Sequence, residues 1–252
     1  MSAEANKRLQ TFLKRLAHIA TPQPAPAQLT HTTDPVLAEL VRSFFVWERG
    51  TQVGERWLAE AHQQLVDYNE LRVCLPHEFE RMVSSDDPHA GSRFLRLRSV
   101  LNDIFRREHE ISLSHLTTLA KRDARAYLDS LDGMHPFVSG RVCLLVLGAH
   151  AMPIDARLCT RLALEKAMPE EIDATSTTAH ADAASWLEHH VLADDARETY
   201  LRIEQWADDQ TGPSPRQRPK PSSGGKTGSK TAPKPRSKPA PDSPKPRKRS
   251  TA

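Results

Sequence analysis

Cysteine is scarce in this chain: Cys74, Cys143 and Cys159 are the three among 252 residues, with no Cys-x-x-Cys pair and no Cys/His group at metal spacing. That argues against a disulfide scaffold, a zinc finger and a cysteine-ligated iron–sulfur cluster. Three thiols in apolar or helical surroundings read as reduced and buried. Long apolar runs are also missing. The longest, Val142 to Gly148, is core-sized and far short of the roughly 18–20 residues that span a bilayer. The start, Met1 to Arg8, is polar and no apolar segment follows it, so no secretory signal is expected. These absences predict a cytoplasmic chain without membrane, metal or cofactor.

Acidic residues are nearly absent from 211–252, which holds 12 Lys/Arg against Asp242 alone, a local charge of +11. The remaining 23 basic and 31 acidic residues give 1–210 a charge of −8. The formal total of +3 therefore conceals a mildly acidic body and a strongly basic tail, a pattern expected of a polyanion-binding arm. The tail contains ten Pro and no aromatic or large aliphatic residue, so it is expected to stay disordered. Lys234, Arg236, Lys245, Arg247, Lys248 and Arg249 alternate with Pro or cluster. An extended chain rises about 3.1 Å per residue, which lets such cations track phosphates without reading bases. The tail resembles the Lys/Pro/Ser tails of histone-H1-like and bacterial nucleoid proteins. DNA and a nucleoid location are the expectations; a solubilising tail with weak non-specific contacts is the alternative.

The body reads as all-α. Leu9, Phe12, Leu13, Leu16 and Ile19 lie on one face of an N-terminal helix within 1–20, and Pro22, Pro24 and Pro26 mark 21–33 as a linker. Asp34-Pro35 is a cap followed by a first-turn proline, opening a helical domain over 34–210. Helical spacing continues through Val53–Leu65, a short segment from Pro76, a long one carrying Phe94 to Phe105, another over about 114–130, an apolar one over 137–148, one opened by Asp155, and two near 180–192 and 194–208. Trp47, Trp57, Trp186 and Trp206 read as core residues. Arg93, Arg96, Arg98, Arg106 and Arg107 read as a solvated face, with a phosphate-contacting stripe as the alternative. His189-His190 has no partner at metal spacing. His150 reads as a plain loop residue.

Leu131-Asp132-Gly133-Met134-His135, the apolar helix after it and the return Gly148 to Asp155 resemble the hairpin and catalytic return of the helix-hairpin-helix DNA glycosylases of the endonuclease III type. The likeness extends weakly over 34–192, where Trp186-Leu187 resembles a late helix of that family. The resemblance implies an endonuclease III-like body, DNA contacts at Gly133, His135 and Ser139, and Asp155 as the carboxylate that activates water in a monofunctional base-excision enzyme. Asp is also a strong N-cap, and the two roles can coexist. Phe137 stands where lyase-type members carry a Schiff-base Lys, and the cluster cysteines are missing. Strand cleavage through an imine formed at that position is thereby excluded. His135 replaces a hairpin glycine, where a positive φ would be strained, and Pro136 lacks an N–H donor. The rival reading is a catalytically inactive DNA-binding or nucleoid-associated protein with the same fold. A third is an interaction module that recruits a partner with its tail.

Overall fold

In a computed structural model, residues 3–20, 34–83, 87–176 and 178–210 are described; 211–252, with all six tail cations named above, and the linker 21–33 lie outside them. Every regular element among the described residues is helical. Ala5, Leu9, Phe12 and Leu16 recur every three or four residues, so α1 (Ala3–Leu16) buries one stripe completely. That stripe packs on α11 (Ala193–Asp209), with Phe12 edge-on to Trp206 at 4.9 Å. Arg8 and Arg15 tie the same helix to Glu170 and Glu165.

The centre is a pair of helices that are apolar nearly all round. In α2 (Pro35–Val46) every residue after the first-turn proline is buried. Asp34 caps it as the sequence predicts, taking the Val36 and Leu37 N–H groups at 2.9 and 3.0 Å on Oδ1. Its Oδ2 accepts from Leu113 N at 2.5 Å and ties in the segment before the 3-10 turn Ser114–Thr118. α8 (Pro136–Leu145) buries eight of its residues and packs along α2. Around this pair lie α3 (Thr51–Gln64), α4 (Tyr68–Val73), α5 (Pro76–Met82), α6 (Ala90–Glu108), α7 (Lys121–Asp129), α9 (Ala156–Leu164) and α10 (Ala179–His190).

Several expectations need correction. The segment 114–130 is not one helix, because Leu119 and Ala120 are extended between the 3-10 turn and α7. The helix opened by Asp155 ends at Leu164, which is 73% exposed, and the chain then turns through Lys166 at φ +58°. Arg93 belongs to no solvated stripe: it is buried and paired with Asp87 and Glu48. Of the tryptophans, Trp47, Trp57 and Trp186 are buried, and Trp206 packs half-buried against the core.

Charge also enters the core. Arg141 of α8 donates Nε and Nη2 to the two oxygens of Glu204 at 3.1 and 3.2 Å, and reaches Glu39 and Ser43 of α2 with Nη1. Tyr200 donates to Glu204 at 2.6 Å. The two carboxylates hold Arg141 firmly protonated despite its burial. Burial pushes Glu39 upward against the pull of Arg141.

Candidate functional site

The hairpin between α7 and α8 is built by one obligatory glycine. Gly133 has φ +85°, and a Cβ there would stand 2.8 Å from the Arg96 carbonyl oxygen and 2.9 Å from Ser99 Cβ. Ser99 Oγ donates to Asp132 at 2.6 Å and fixes the turn to α6. His135 is not strained: its φ is −113° and it serves as the N-cap of α8, with Nδ1 accepting from Phe137 N at 3.2 Å. Pro136 then occupies the first helical position, where a missing N–H costs nothing. The imidazole thus takes a helix-start donor that an anion would otherwise find free. Ser139 is fully buried and donates to the Pro136 carbonyl, so it offers no surface to a phosphate.

His135 stacks on Trp47 with ring centres 4.0 Å apart. Burial, and then the positive charge of Arg96 and the proximity of His180, push its pKa down to about 4. At neutral pH it is uncharged, and because Nδ1 accepts, the proton sits on Nε2. An unfolded histidine titrates near 6.5, so the unfolded chain binds more protons between about pH 4 and 6.5. Stability from this group is therefore complete above pH 6.5 and declines as pH falls toward 4, by about 2 kcal/mol after allowing for screening. Urea unfolding across that range should show the decline in the native chain and a shallower one in His135→Asn, which keeps a capping oxygen. Identical profiles would contradict this account of His135.

Asp155 is fully buried. Oδ1 caps α9 by accepting from Leu158 N at 2.8 Å, and Oδ2 accepts from Glu48 N at 2.7 Å. Glu48 lies in the α2–α3 loop at φ +60°, an unfavourable conformation for a side-chain-bearing residue. The carboxylate therefore clamps a strained loop 107 positions away while starting a helix. The helix dipole and two N–H donors favour its ionised form, as expected for a helix start. Burial outweighs them and raises its pKa, with Arg157 the main opposing charge.

A cleft of about 310 Å³ opens beside Asp155 without including it. Its apolar wall is Phe137, Met152, Pro153 and Ile154; its polar groups include His135, His180 and Glu188. The volume sits at the lower end of small-ligand sites. His180 and Glu188 escaped the sequence reading. The signal was the spacing Ala181, Ala184, Ser185, Glu188, which puts a carboxylate on the small-residue face of α10. His150 is exposed in the loop before Ala151. His190 lies tilted at 44° against Trp186, ring centres 3.7 Å apart, and bonds its carbonyl oxygen, and no group of three metal-ligating side chains occurs among the described residues.

No family model matches this sequence, and no curated protein does. A solved structure of a thermostable thymine-DNA glycosylase matches with a TM-score of 0.52 at 14% identity, over 80% of this chain and 87% of that one. The described residues thus form an all-α body with a DNA-glycosylase-like fold.

Proposed function

We propose that this chain is a DNA-binding protein of glycosylase-like architecture in which Asp155 is a structural clamp rather than a reactant. The burial of Asp155 carries the reading. A carboxylate that activates water or faces a sugar cation must come within hydrogen-bond distance of it. Here both oxygens are taken by backbone N–H groups, and the side chain does not line the neighbouring cleft. Phe137 supplies an apolar wall where an imine-forming amine would be needed.

DNA is the partner that the fold likeness and the +11 segment 211–252 favour together. The contacts assigned to that segment are to the backbone and read no sequence. A monofunctional base-excision enzyme is the second reading, favoured by one observation: the cleft has the volume and apolar wall to receive an extruded base. Incubating duplexes that carry uracil, alkylated or oxidised bases and scoring alkali-labile sites separates the two. The first reading expects none above background. Borohydride trapping in parallel should yield no adduct.

A further inference from the structure

We infer that Glu188 is the base-reading group of the cleft and selects an extruded base with two adjacent N–H donors, the edge that guanine presents at N1 and N2. This rests on the DNA-binding reading above. Oε1 of Glu188 accepts from Met152 N at 3.0 Å, which fixes the carboxylate on the cleft wall. Its other oxygen has no hydrogen-bond partner among the described residues, and Oε1 keeps a second lone pair, so both oxygens can accept from a base edge. A fixed carboxylate presents acceptors only. Adenine and cytosine offer one donor beside an acceptor nitrogen, and thymine sets its single N–H between two carbonyls that repel a carboxylate. Guanine is the natural base whose edge carries two donors side by side.

The rest of the cleft suits a flat, uncharged ring rather than a phosphate. Phe137, Met152 and Ile154 lie behind the cleft, each under 5% exposed, and its accessible apolar residues are Pro136, Ala181 and Ala184. The one cation on the lining, Arg125, already pairs with Asp129 at 3.5 Å. His135 is neutral, and with Nδ1 accepting from Phe137 N it carries its proton on Nε2. An anionic group would therefore meet the Glu188 carboxylate, with Arg125, half-exposed beside Asp129, as the one Lys or Arg on the lining. A base meets an apolar wall, an acceptor on α10 and a donor at the hairpin.

The test measures binding of the full chain to duplexes that differ at one unpaired residue, guanine or hypoxanthine, which lacks the 2-amino group. Guanine should bind about tenfold more tightly than hypoxanthine. Glu188→Gln keeps a carbonyl oxygen for Met152 N–H but turns an amide donor toward the cleft, so the preference should fall to about one. Ala184→Leu, which fills the lining from α10, should abolish it as well. Free guanosine and inosine, followed by thermal shift, separate the two sources of the same base chemistry. A Glu188-dependent preference among nucleosides alone assigns the cleft to a free ligand, and one in duplexes alone assigns it to extruded DNA. Duplex binding with no guanine preference overturns the inference and leaves the DNA reading standing. No binding to any duplex at low salt overturns the DNA reading itself.

Discussion

Exchanging Arg141 for methionine should destabilise the body by about 3–5 kcal/mol, the cost of breaking a buried ion pair from one side. Arg141 is 3% exposed and supplies the cation shared by Glu39 and Glu204, themselves 7% and 2% exposed. Without it Glu204 loses its guanidinium partner and Glu39 keeps only the more distant Arg42, at 3.8 Å. Burial already holds Glu39 above the ordinary carboxylate range, and losing Arg141 pushes it further up from the unfolded value of about 4.3, so protonation favours the folded variant. The lost stability should therefore return as pH falls below about 5 and be fully lost at pH 7. Combining Arg141→Met with Glu39→Gln and Glu204→Gln should recover most of it, because an uncharged trio needs no counterion. Denaturant unfolding at pH 5 and pH 7 measures both effects. A single variant that loses less than about 1 kcal/mol at pH 7 would show that the cluster is not the structural centre described here.

Removing 211–252 should have the largest effect on binding. Each phosphate neutralised contributes roughly −0.9 to the slope of log affinity against log salt, so four to six engaged cations give about −4 to −5. The intact chain should then lose several hundred-fold in duplex affinity between about 50 and 200 mM salt, and the truncated chain only a few-fold. The body carries −8 and should bind poorly by itself. Two of the arginines of α6 are unavailable as a substitute: Arg93 is buried, and Arg107 is engaged by Asp103 and Ser130. An unchanged slope after truncation would move the electrostatic footprint onto the exposed Arg96 and its neighbours.

What the sequence made legible was local. The three- and four-residue spacing of Leu9, Phe12 and Leu16 found α1, and Asp34-Pro35 placed the start of α2 to the residue. The hairpin glycine and the helix start at Asp155 were equally plain, because each is a short-range geometric demand. The break at Leu119-Ala120 carries neither Gly nor Pro, so helical spacing ran straight through it. Arg141, Glu39 and Glu204 look like ordinary surface charges, since their pairing spans 102 and 63 positions. His135 was misread for a related reason. A side-chain nitrogen that caps its own helix lets the backbone avoid the positive φ that a glycine would have signalled. The fate of Asp155 needed Glu48, whose N–H arrives from 107 positions away in the sequence and seals the carboxylate.

That seal is the central claim, and one comparison tests it most directly: alkali-labile site formation on damaged-base duplexes by the native chain and by Asp155→Asn, with both proteins checked for folding. Asparagine keeps an oxygen for the Leu158 N–H and loses the acceptor for Glu48 N, a cost of about 1–3 kcal/mol in stability. The account predicts that the substitution lowers the unfolding midpoint and that neither protein releases a base above background. Base release by the native chain that disappears in a folded Asp155→Asn variant would contradict it and make Asp155 a reactant.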